Sequence, residues 1–158
     1  MAFGLRSVDE YITRYRVAAQ AAVPDEQVLA VGILTRTGGL SGALAAQVSG
    51  AWYLASKRRG ARDAPGLPQN VAVAVTPTRL VVFEFRPSGT SIRLKRHVAD
   101  WPRPGLTVTS EDTTLAERLT FTFADGEVVR LDSNKSIGQY RQINAQFLRE
   151  IGCSPAEH

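Results

Sequence analysis

Lys57, Arg58, Arg59 and Arg62 form the densest cationic group in the chain. Ammonium and guanidinium groups at that spacing suit phosphate oxygens, through charge-assisted hydrogen bonds and simple attraction. Beside an anionic lipid surface each such side chain contributes about 1 kcal/mol. A second basic set, Arg93, Lys95 and Arg96, has Arg79, Arg86 and Arg103 near it in sequence. Strand periodicity puts Arg93 and Lys95 on one face, either a solvated face whose charge discourages edge pairing or a second anion patch. Nucleic acid fits that patch poorly, because no aromatic residues interleave as stacking platforms.

Residues suited to catalysis or metal binding lack partners at useful spacing. The histidines are His97 and His158, and His97 sits in a basic strand with no cysteine or paired carboxylate at ligand spacing, so no metal site is expected. Asp9 and Glu10 sit where a helix N-terminus favours negative charge, and Glu111 and Asp112 fit an exposed turn. Gly38-Gly39 belongs to neither G-x-x-x-x-G-K nor G-x-G-x-x-G, and no G-x-S-x-G elbow occurs. Cys153, the one cysteine, excludes an internal disulfide and reads as an inert thiol near a helix end. The chain is therefore read as a non-enzyme, with no catalytic residues, cofactor or metal.

What precedes the basic cluster is its most informative context. From Thr37 to Ser56 there is no charged residue. Gly38, Gly42, Ala46 and Gly50 recur every fourth position, and Leu40, Leu44, Val48 and Trp52 do so two residues out of phase. As a helix, Leu40 to Ser56 measures about 25 Å, short of a hydrocarbon core of about 30 Å. A single crossing would also divide one sheet between two sides of a membrane. Two other readings stay open. In one the Leu40/Leu44/Val48/Trp52 row dips into a lipid interface and the four cations meet its phosphates. In the other the small-residue face packs closely on the domain, or on a second copy to form a homo-oligomer.

The flanking elements define the scaffold. At 158 residues, with 44% hydrophobic and 22% charged residues, a single domain over 1–158 with one substantial core is expected. The net charge of +4 favours acidic partners mildly. Residues 7–22 read as an amphipathic helix opened by a Ser7/Glu10 capping box and stopped by Pro24. Strands follow at about 27–35, 71–75, 80–85, 91–98, 106–110, 119–123 and 128–131. Trp101-Pro102-Arg103-Pro104-Gly105 breaks the chain, and Asp125-Gly126 makes a hairpin. Residues 36–69 form an insertion between strands one and two, with a helix expected over its uncharged part. Residues 136–151 form a closing helix capped by Gly152, with a frayed tail at 154–158. The start Met-Ala-Phe-Gly-Leu-Arg-Ser has no signal-peptide h-region, so a cytoplasmic location, peripheral to the inner face of the membrane, is expected.

The order of seven strands and one C-terminal helix, an α+β class with an antiparallel sheet or partly open barrel, resembles the pleckstrin-homology-like superfold, and in detail the bacterial PH-like domains. The resemblance spans roughly residues 25–151. It is carried by Val75-Thr76-Pro77-Thr78-Arg79-Leu80-Val81-Val82-Phe83, similar to the T-x-x-R-L hairpin of those domains, and by Phe123-Ala124-Asp125-Gly126-Glu127 before the last strand. The long insertion and the leading helix depart from the minimal pattern. The resemblance implies that the loop between strands one and two contributes basic residues to lipid headgroups, here Lys57, Arg58, Arg59 and Arg62. The expected function is binding to an anionic membrane surface or a protein partner through residues 38–62. The expected contacts are Leu40, Leu44, Val48 and Trp52, together with the anion-binding set completed by Arg93 and Lys95. The alternative is an oligomer-forming domain using the Gly38/Gly42/Ala46/Gly50 face.

Overall fold

The computed structural model describes residues 8–37, 64, 66–86, 94–113, 116–134 and 138–155. Helix α1 (Val8–Ala22) leads into strands β1 (Ala30–Arg36), β2 (Asn70–Val75), β3 (Arg79–Phe85) and β4 (Leu94–Pro102). Strands β5 (Thr107–Asp112), β6 (Ala116–Thr122) and β7 (Val128–Asn134) follow, then helix α2 (Gly138–Ile151) and a two-residue strand, β8 (Ser154–Pro155). The sheet runs β4-β3-β2-β1-β7-β6-β5-β8. Its first seven members pair antiparallel, so the α+β class and the seven-strand expectation hold. The sheet does not close, because β4 and β8 are its two ends. The helix expected within residues 38–56 lies outside the described residues, as do Leu40, Leu44, Val48, Trp52, Lys57, Arg58, Arg59, Arg62 and Arg93.

Alternating side chains divide the interior into two layers. Val71, Val73 and Val75 of β2 point inward with Leu34, Leu80, Val82, Leu119, Phe121 and Leu131. Ala72 and Ala74, between those valines, belong to the outer layer, with Val31, Ile33, Val81 and Phe83 of the same sheet and Tyr15 and Ala19 of α1. Strands β1 to β3 are thus buried on both faces, the apolar-with-alanine pattern of a covered sheet.

The sheet bends where β1 leaves β7. β1 pairs with β2 from Ala30 to Thr35, but with β7 only at Thr35 and Arg36. Helix α2 fills the resulting gap. Phe147 enters the inner core from it and Ile143 the outer one. The buried Asn144 accepts from the Ile33 N–H at 2.7 Å and donates to the Ile33 carbonyl at 2.8 Å, taking the place of a missing strand neighbour.

Threonines close two of the turns by the same device. Thr76 Oγ1 accepts from the Arg79 N–H and donates to the Arg79 carbonyl, and Thr113 does the same with Ala116. The Asp125-Gly126 hairpin forms as expected: Gly126 has φ 90° and Asp125 Oδ1 accepts from the Glu127 N–H at 2.9 Å. Gly152 caps α2 at φ 70°, with Gly152 N–H donating to Arg149 and Cys153 N–H to Leu148, a Schellman arrangement.

Two expectations need correcting. The chain does not break at Trp101: β4 continues through Pro102, opposite Arg79. An edge strand tolerates proline, because no partner requires its missing N–H on the outer side. The tail is not simply frayed at its start, since Ser154 and Pro155 lie parallel to Thr109 and Ser110 and cover part of the β5 edge.

Candidate functional site

Antiparallel register gathers the ends of two connections at one end of the β1–β4 half of the sheet. Thr35 opposes Asn70, Val71 opposes Glu84, and Phe85 opposes Leu94. The two flanks of the insertion are tied directly, with the Arg36 N–H donating to the Gln69 carbonyl at 3.0 Å. Thr37 is buried at one flank, and Ala64 and Leu67 enter the inner core at the other. The basic cluster from Lys57 to Arg62 therefore belongs to a connection rooted in the sheet at both ends.

Described side chains at this end are mostly cationic. Lys95 is exposed on β4, on the strand where the sequence places it. Arg86 and Arg96, respectively 72% and 70% exposed, flank Glu84 at 3.8 and 3.2 Å. One carboxylate between two guanidiniums leaves net positive charge there. Exposed pairs of this kind contribute about 0–1 kcal/mol and cost little to rearrange. Arg86 and Arg96 lie within the basic run of the sequence, but their shared carboxylate comes from a neighbouring strand that only the register reveals. Arg36 joins this end from β1, and nothing in the sequence spacing singles it out.

The opposite end of β3 and β4 carries mixed charge. Arg79 bonds both oxygens of Asp25 at 3.0 and 3.1 Å, and His97 lies 3.1 Å from Asp100. The hydroxyls of Thr76 and Thr78, with the Arg79 guanidinium, hold the Glu26 carboxyl below its ordinary range. These contacts pin the α1–β1 connection to the Thr-x-x-Arg turn. Among the described residues no three His, Cys, Asp or Glu side chains converge as metal ligands do.

Cys153 sits half-buried beside β5, and burial pushes its thiol above the ordinary range despite a bond with Ser110. Deprotonation is the step that makes a thiol reactive. Alkylation by iodoacetamide at pH 7.5 should therefore run several-fold slower than for an unstructured cysteine peptide. Equal rates would show that the thiol is open and unshifted.

A second feature escapes the sequence altogether. Between β4 and the β6–β7 hairpin runs a groove of about 760 Å³, lined by Leu67, Val98, Trp101 and Phe123, among others. Trp101 packs on Phe121 and Phe123, each with ring centroids 5.3 Å away. Gly105 (φ 78°) lets the β4–β5 turn lie against Ala124, where an added Cβ would fall 2.6 Å from the Ala124 Cβ. In the sequence, the run from Trp101 to Gly105 signals only a chain break.

Among the described residues no helix is long and apolar enough to cross a membrane. Comparison with protein-family models, with curated proteins and with solved structures finds no match.

Proposed function

We propose that this chain is a PH-like, non-catalytic binding domain that docks its cationic end on an anionic membrane surface. One observation carries the reading: the register sets the roots of the β1–β2 and β3–β4 connections side by side. Those two connections contain Lys57, Arg58, Arg59, Arg62 and Arg93 by sequence, and Arg86, Lys95 and Arg96 flank them. The strand order β4-β3-β2-β1-β7-β6-β5, with a helix entering the gap between β1 and β7, supports the PH-like assignment. The apolar row Leu40, Leu44, Val48 and Trp52 would add insertion depth to the attraction supplied by the cations.

Co-sedimentation with vesicles of phosphatidylcholine containing increasing phosphatidylglycerol tests this. Pelleting should rise with the anionic fraction and fall with salt. The double variant Arg58→Glu/Arg59→Glu should lose about 2–4 kcal/mol of binding, at least thirtyfold in affinity. Pelleting that ignores the anionic fraction, or survives the double reversal, would sink the reading. In that event, light scattering of Gly42→Leu and Gly50→Leu would take up the alternative of self-association through the small-residue face.

A further inference from the structure

The seam groove has a different chemistry from the cationic end. It runs along β4, the sheet's unpaired edge among the described residues. The Arg103 N–H donates to the Thr78 carbonyl at 3.0 Å, and the register places Trp101 opposite Leu80 and Ala99 opposite Val82. Antiparallel pairing alternates between bonded and non-bonded pairs, so the backbone groups of Asp100, opposite Val81, turn towards the open edge. Register shifts near Phe83 disrupt the earlier part of β4 and leave its last residues as the regular stretch.

The lining side chains narrow the occupant further. Trp101 and Phe123 supply an aromatic wall. The charged side chains lining the groove among the described residues are Asp125 and Glu127, in a chain of net charge +4. Asp125 accepts from the Glu127 N–H in the hairpin turn, and the exposed Glu127, opposite Phe123 across that hairpin, lines the same groove. An acidic rim disfavours an anionic headgroup, so this surface is distinct from the cationic end.

We propose that the groove receives an extended peptide from a partner protein, with an arginine or lysine two residues from an apolar side chain, so that both face the groove. The peptide lies along the end of β4 and bonds the Asp100 backbone. Its apolar side chain packs on Phe123 and Trp101, and its cation meets Glu127. Backbone pairing supplies affinity and the alternating side chains supply selectivity.

The test titrates the full chain into two fluorescein-labelled hexapeptides, Ser-Val-Ser-Arg-Ser-Val, which sets valine and arginine on one face, and the same peptide with glutamate in place of arginine. It follows anisotropy and, with ¹⁵N-labelled protein, backbone amide shifts. The arginine peptide should bind saturably and move the amides of residues 98–101 and 123–129. Glu127→Gln should weaken it about threefold and Glu127→Lys about tenfold, while the glutamate peptide stays unbound by the unsubstituted protein. The proposal is overturned by no saturable binding, equal binding of both peptides, indifference to both substitutions, or amide shifts confined to other strands. Glu127→Gln keeps every backbone bond of the hairpin, so it reports on charge even if the lysine variant folds poorly. Vesicle pelleting by the cationic end involves none of these groove residues, so either proposal can fail alone.

Discussion

Replacing Asn144 with leucine should lower stability by about 3–5 kcal/mol. The side chain is 1% exposed and makes three bonds at 2.7–2.8 Å: it accepts from the Ile33 N–H and donates to the Ile33 carbonyl and to Ser133 Oγ. Leucine is similar in size and restores none of them. Each buried backbone group left without a partner costs about 1–3 kcal/mol, and here β1 loses both a donor and an acceptor at one residue. For a chain of this length the loss corresponds to a fall of about 10 °C in Tm. Urea and thermal melts of the two proteins measure it. A loss below about 1 kcal/mol would show that water or strand β7 replaces the amide.

Asn144→Asp sharpens the argument. The carboxylate still accepts from the Ile33 N–H but sets a second oxygen against the Ile33 carbonyl. Burial and that carbonyl favour the neutral acid, whose O–H again donates. The folded-state pKa of the introduced group is thus raised above its unfolded value. The deficit relative to Asn144 should be smallest at low pH and grow as pH rises through the unfolded and then the folded pKa. A pH-independent deficit would contradict this account of the bond to the Ile33 carbonyl.

Asn144 also shows where reading the chain alone stops. The stripe of α2 is legible: Ile143 and Phe147 recur at helical spacing and both are buried. That they enter opposite layers of the core is not, because the split depends on where β1 parts from β7. Asn144 lies between them in sequence, and Ile33, which it bonds twice, is 111 residues away. The alternation Val71/Val73/Val75 announces β2, and the Asp-Gly turn announces the β6–β7 hairpin, since both are local signals. Pro102 misleads, because its cost depends on which edge it occupies. For the candidate sites the contrast is similar. The cations are visible as a run of charge, yet their gathering at one end needs the register of four strands. The groove draws its lining from segments around residues 67, 101 and 126, and no periodicity links those three.

The other large effect lies at Gly32, where helix and strand come closest. A Cβ there would fall 2.7 Å from Cδ1 and Cγ of Phe147, inside any permitted contact. Phe147 is fully buried, so its ring has no free space to move into. Gly32 is not among the positive-φ glycines, and what it provides is room, not an unusual backbone angle. Gly32→Ala should therefore cost about 2–3 kcal/mol by overpacking, although alanine is ordinarily the better strand residue by about 0.5–1 kcal/mol. Phe147→Ala alone should cost about 3–5 kcal/mol through the cavity it leaves. Combined, the two should not add. With the ring gone, the methyl introduced by Gly32→Ala occupies part of the cavity, and the second substitution becomes neutral or slightly stabilising. The expected coupling is about 2–3 kcal/mol, well beyond the few tenths seen between independent sites. Denaturant melts of the four proteins in the cycle measure it. Simple additivity would mean that the strand, and not the Phe147 ring, is what requires glycine at position 32.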